Sequence, residues 1–153
     1  MDRDDPAGAG PLRRVLLAVF LLGALGTLAE LILLEHYEDW WQLLPLVLLG
    51  ASPIAVALLI LRPGAASLRS FQMLMLLLVA AGGIGVYQHY SGNVEFELEM
   101  YPSRGGFELI WESLKGATPA LAPGAVAQLG LLGLAYCFRH PLLARTARDY
   151  RKS

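Results

Sequence analysis

Three stretches of about twenty mostly apolar residues, at 15–34, 43–61 and 71–90, constrain this chain more than any other feature of its sequence. Twenty residues in a helix, at ~1.5 Å each, cross a hydrocarbon core. In the first stretch only Thr27 and Glu30 break the run. It is longer than the roughly 7 to 15 apolar residues of a cleavable signal peptide, so it reads as a spanning helix that is kept. The second stretch has Pro45 in its first turn, where a missing N–H costs little, and Pro53 inside, where a kink is expected. The third ends in Gly82, Gly83 and Gly85. Membrane helices tolerate such residues where another helix approaches closely.

A fourth apolar run, 125–138, is shorter and must borrow 121–124 or let Arg139 snorkel to cross. Charge favours it. With the N-terminus inside, Arg3, Arg13, Arg14, Arg62, Arg69, Arg139, Arg145, Arg148, Arg151 and Lys152 are cytoplasmic, and only Arg104 and Lys115 lie outside. That is the distribution the positive-inside rule prefers, and a three-span topology would reverse it for the basic C-terminal residues. The expected fold class is therefore an all-α membrane protein: a four-transmembrane-helix bundle in one domain, 1–153. Its spans fall near 15–34, 43–61, 71–90 and 121–139, with an extracytoplasmic cap at about 91–120 and a cytoplasmic tail at 140–153. The tail combines Leu142 and Leu143 with four basic residues, which suits a short helix on anionic lipid. Arginine outnumbers lysine, and Ala, Gly and Leu abound, a composition that points to a GC-rich bacterial genome and hence to the inner membrane.

Two periodicities mark the cap. From Val94 to Tyr101 apolar residues alternate with Glu95, Glu97 and Glu99, which predicts a half-buried strand or hairpin with a carboxylate face. After a turn at 102–106, the residues Phe107, Ile110, Trp111 and Leu114 share a helical stripe flanked by Glu108 and Glu112. This predicts a short amphipathic helix lying in the outer interface, a level that Trp40 and Trp41 also mark. Glu35, Glu38 and Asp39 add to an acidic exterior, which suits either solubility or attraction of cations.

Charged residues make up 16% of the chain and the net charge is -1, so no basic excess is available for nucleic acid. The single Cys137 cannot close an internal disulfide or build a cysteine-rich metal site. Inside the spans the informative residue is Glu30, on one stripe with Gly23 and Thr27 that is expected to face the bundle. Gln128 and Tyr87 fall at comparable depth, and the three form an expected intramembrane polar cluster, a buried hydrogen-bond clamp. Glu35, His36, Asp39 and His89, at the outer rim, are the candidate metal ligands, since imidazole with carboxylate suits a transition metal. Their spacing matches no established zinc pattern, and no cofactor or catalytic residue is assigned. No nucleophile and base pair points to an enzyme. The expected function is a structural or interaction protein whose partners are the lipid bilayer and a membrane protein or further copies of itself. The alternative is a transporter or cation-handling protein using Glu30 and the acidic mouth.

Overall fold

In the computed structural model, residues 9–143 are described, so Arg3 and the basic tail beyond 143 lie outside the described residues. Five helices follow one another: α1 at Ala9–Leu33, α2 at Trp40–Leu61, α3 at Ala65–Met100, α4 at Gly106–Leu114 and α5 at Gly124–Cys137. Three of them, α1, α2 and α3, are long and apolar enough to cross a membrane, whereas α5 is apolar but shorter. Helix α2 runs on through both Pro45 and Pro53. The buried Ser52 beside Pro53 donates its hydroxyl to Leu48 O at 3.0 Å, which satisfies the side chain within its own helix.

The expected strand at 94–101 is not formed: α3 continues to Met100, and no strand occurs among the described residues. Glu, Leu and Met are strong helix formers, and extending an existing helix carries no nucleation cost. An isolated strand would instead leave its edges unpaired. In a helix Glu95 and Glu99, four residues apart, share a face while Glu97 points away from them, so the three-carboxylate face implied by the alternation never assembles. The short helix expected after the turn is present as α4.

Beyond Met100 the chain turns and runs back along α3, and close contacts trace that path. Arg104 donates to Glu97, Asn93 reaches Ser113, and His89 faces Pro119. Farther along, any Cβ on Gly85 would meet Pro123, one on Gly82 would meet Ala127, and one on Gly133 would meet Met75. Helices α4 and α5 are therefore successive antiparallel partners of α3. Close approach is the reason for the glycines: a Cβ on Gly82 would lie 2.4 Å from the backbone nitrogen of Ala127, and one on Gly130 would lie 2.6 Å from Met75 O. Larger residues on these faces would hold the two helices apart.

The core centres on Phe71, fully buried, with its ring edge-on to Phe20 of α1 at 5.5 Å and to Tyr136 of α5 at 5.7 Å. Leu49, Val56, Met75 and Leu78 fill the space around it. At the end of the bundle holding the start of α1, Arg13 donates to Arg139 O at 3.1 Å. That bond places the C-terminal end of α5 beside the N-terminal end of α1. At the opposite end α3 projects beyond the α1–α2 connection, since His36 of that connection meets α3 at His89. The remaining length of α3 and the whole of α4 form a helical hairpin.

Candidate functional site

Helix α1 ends in a hydrogen-bonded reversal that sets up the site. His36 N donates to Leu31 O at 2.9 Å and Glu35 N to Ile32 O at 3.1 Å, the bond pair of a Schellman termination. Glu35 occupies the left-handed position, at φ 54°, where glycine is the usual residue. The reversal turns His36 inward. On the other side of the connection, Gln42 folds back so that its Oε1 accepts from Glu38 N at 2.8 Å and Asp39 N at 3.3 Å, which closes the start of α2.

Between these turns, α3 and the segment before α5 lies an open cleft of about 470 Å³. Its lining combines the polar His36, Asp39, Gln42, Gln88, His89 and Thr118 with the apolar Leu44, Pro45, Ala81 and Ile84. The His36 and His89 rings stand 6.3 Å apart, edge-on. His89 Nδ1 lies 3.1 Å from Pro119 O, so the protonated Nδ1 donates there and the neutral ring keeps Nε2 as an acceptor. Burial, and then the adjacent His89, push the His36 imidazole below its usual range. Both effects favour a neutral ring.

The candidate metal ligands are therefore only partly assembled. His36, His89 and Asp39 line one cleft, while Glu35 is exposed and serves the helix termination. Among the described residues no three His, Cys, Asp or Glu side chains gather closely enough to hold a metal ion.

Glu30, Tyr87 and Gln128 are each exposed, and no hydrogen bond joins them, so the structure does not bring the expected intramembrane clamp together. The reason is the length of α5. Gly23, on the same stripe as Glu30, does face α5, where a Cβ would meet Leu129. Glu30 lies seven residues farther along α1, whereas the antiparallel α5 begins only five residues before Leu129, so Glu30 passes the end of its neighbour.

The polar clamp that does form was not among the residues singled out by the sequence. Asn93, 4% exposed, donates through Nδ2 to Ser113 O at 2.9 Å and to Thr118 O at 2.7 Å, and accepts from Thr118 N at 3.2 Å. It ties the 113–118 segment to α3 and thereby fixes the cleft wall carrying Thr118. Gly116 is needed beside it, because a Cβ there would meet the Asn93 carboxamide at 2.4 Å. The available signals were the lone Asn of the chain, in α3, and a Gly after a lysine, neither of which pairs the two from sequence.

The two basic residues of the hairpin are both engaged. Arg104 pairs with Glu97 and, at 3.2 Å, with Glu108, and Lys115 pairs with Glu112 at 2.8 Å. Glu95 and Glu99 are exposed and have no ion pair among the described residues. Compared with known protein families, curated proteins and solved structures, the chain matches none.

Proposed function

We propose that this chain is a four-span protein of a bacterial inner membrane, with cytoplasmic termini, and that it serves as a structural or interaction protein whose outer α3–α4 hairpin docks on a partner protein. Support for the membrane setting comes from the sheath of large apolar residues facing outward from the bundle, including Leu22, Val47, Ile54, Ile60, Leu77 and Leu131. Arg13, Arg14, Arg62, Arg69 and Arg139 lie at or near the ends of helices that meet at one end of the bundle, the end the positive-inside rule assigns to the cytoplasm. The antiparallel return of α5 along α3, closed by Arg13 on Arg139 O, supports counting α5 as the fourth crossing despite its length.

The observation that carries the docking reading is the apolar surface of the hairpin. Phe107 is 78% and Trp111 52% exposed, with their rings stacked at 6.4 Å, and Ile110, Leu114, Phe96, Met100 and Tyr101 are exposed as well. Ten residues of helix separate Tyr90 from Met100, about 15 Å of rise, so the tip of the hairpin stands clear of the interface rather than lying in it. Apolar surface of this kind away from lipid marks a protein contact. The unpaired Glu95 and Glu99 beside it select a partner with an apolar groove and a basic rim.

A photo-crosslinking residue at Phe107 tests this in cells, with one at the lipid-facing Val47 as control. The proposal expects a discrete protein adduct from position 107 alone, lost when Glu95 and Glu99 are changed to Lys. Adducts that ignore this charge reversal, or none beyond those at 47, would contradict it. The cation-handling alternative has less support, since Glu30 faces outward past the end of α5.

A further inference from the structure

The cleft beside His36 and His89 is distinct from the docking hairpin, and its lining defines a ligand. We infer that it binds the ammonium headgroup of a membrane amphiphile, with the adjoining part of the chain against its apolar lining. This rests on the membrane setting proposed above but not on the docking of a partner.

Three features select that chemistry. The cleft is amphiphilic: apolar Leu44, Pro45, Ala81 and Ile84 line it together with the polar His36, Asp39, Gln42, Gln88, His89 and Thr118. Its volume of about 470 Å³ is within the range of small-molecule sites and suits a headgroup with a few methylenes. Trp41 is part of its lining, and tryptophan marks the level at which lipid headgroups lie.

The sign of the head follows from the lining. No Lys or Arg lines the cleft, and Asp39 is its one carboxylate. Glu35 and Glu38 lie next to it in the connection. His89 offers Nε2 as an acceptor because Nδ1 is committed to Pro119 O, and Gln88 offers an amide oxygen. A phosphate or sulfate head would find a carboxylate and no fixed cation there. A primary ammonium finds a countercharge and N–H acceptors within one cleft. A quaternary ammonium carries the same charge but has no N–H to donate, so it is the informative control.

The test is native mass spectrometry of the full chain released from nanodiscs of phosphatidylethanolamine, phosphatidylcholine and phosphatidylglycerol in equal parts. One retained ethanolamine lipid is expected, favoured roughly tenfold or more over the choline lipid, the ratio that one charge-assisted hydrogen bond supplies. Asp39→Asn should remove the preference, and Ile84→Trp, which fills the apolar part of the cleft, should remove the adduct. Circular dichroism melts of both variants establish that they remain folded. Ethanolamine added to choline-lipid nanodiscs separates a lipid source from a free amine: an ethanolamine adduct sensitive to Asp39→Asn supports recognition of the ammonium itself, and its absence alongside a lipid adduct supports the amphiphile. Equal retention of the three lipids, preference for the anionic lipid, or an adduct indifferent to Ile84→Trp overturns the inference. Because crosslinking at Phe107 reads a different surface, failure here leaves the docking proposal standing, and the reverse.

Discussion

His36 lies in the α1–α2 connection and His89 in α3, yet their rings stand 6.3 Å apart, edge-on, and line one cleft. Their approach depends on the left-handed backbone of Glu35, which ends α1 and turns the chain one residue before His36.

A non-glycine residue in that conformation costs about 1 kcal/mol, offset in part by the larger freedom glycine has when unfolded. Glu35→Gly should therefore raise stability by up to about 1 kcal/mol, and Glu35→Val should lower it. Thermal unfolding in detergent, followed by circular dichroism, reads both. A fall in melting temperature for the glycine variant would mean that the carboxylate, not the backbone, matters at this position.

The lowered affinity of His36 for protons has a consequence for stability. Unfolding restores the ordinary value of 6.5, so between that value and the lower native one the unfolded chain binds more protons. Stability should be intact above about pH 7 and decline as pH falls through 6.5, levelling off below the native value. His36→Gln should flatten this part of the profile. Melting temperatures measured from pH 8 to pH 5 in both proteins check the sign; a wild type that gains stability on acidification through this window would contradict it.

Asn93 is satisfied on both sides of its carboxamide, and its removal takes the partner of Thr118 O and Thr118 N and leaves Ser113 O with the longer bond from Gly116 N at 3.4 Å. Buried groups left without partners cost about 1 to 3 kcal/mol each, reduced where water enters. Asn93→Ala should destabilise the hairpin by roughly 2 kcal/mol or more and open the segment at 115–123 to protease before the bundle melts. Asn93→Asp keeps the acceptor for Thr118 N but loses both donated bonds, so it should not rescue. Unchanged proteolysis in Asn93→Ala would remove the clamp from the account.

Two neighbouring glycines separate packing from propensity. A Cβ at Gly82 would collide with the backbone of Ala127, whereas one at Gly83 would meet nothing within 4 Å. Gly82→Ala should cost about 1 to 3 kcal/mol through forced separation of α3 from α5. Gly83→Ala should be neutral or slightly stabilising. Melting both variants side by side decides this, and equal effects would mean that the helices do not meet at Gly82.

Much of the helical framework was legible because a run of about twenty apolar residues has few solutions. Of the three glycines readable as a packing surface, Gly82 meets α5 and Gly85 meets Pro123 just before it, whereas Gly83 meets no neighbour. The acidic alternation misled because period-two patterning is a reliable sign of a strand only where a sheet exists to receive it, and here a long helix was already in progress. Glu30 misled because helical phase fixes direction but not depth relative to a neighbour, and the short α5 ends before reaching it. His36 and His89 were visible as rim residues. Their meeting in one cleft was not, since it depends on the antiparallel register of three elements.

The central claim is that the α3–α4 hairpin stands outside a bilayer crossed by α1, α2, α3 and α5. Single cysteines at Ser103, in the hairpin turn, and at Ala66, at the start of α3, are both exposed positions and report the two sides once Cys137 is changed to Ser. With a membrane-impermeant maleimide on intact spheroplasts, Ser103→Cys should label at once, and Ala66→Cys only after permeabilisation. Adding Arg139→Cys, which should behave like Ala66→Cys, tests the fourth crossing. Labelling of Arg139→Cys from outside would reduce the spans to three, and protection of Ser103→Cys in intact cells would place the hairpin on the wrong side and contradict the account.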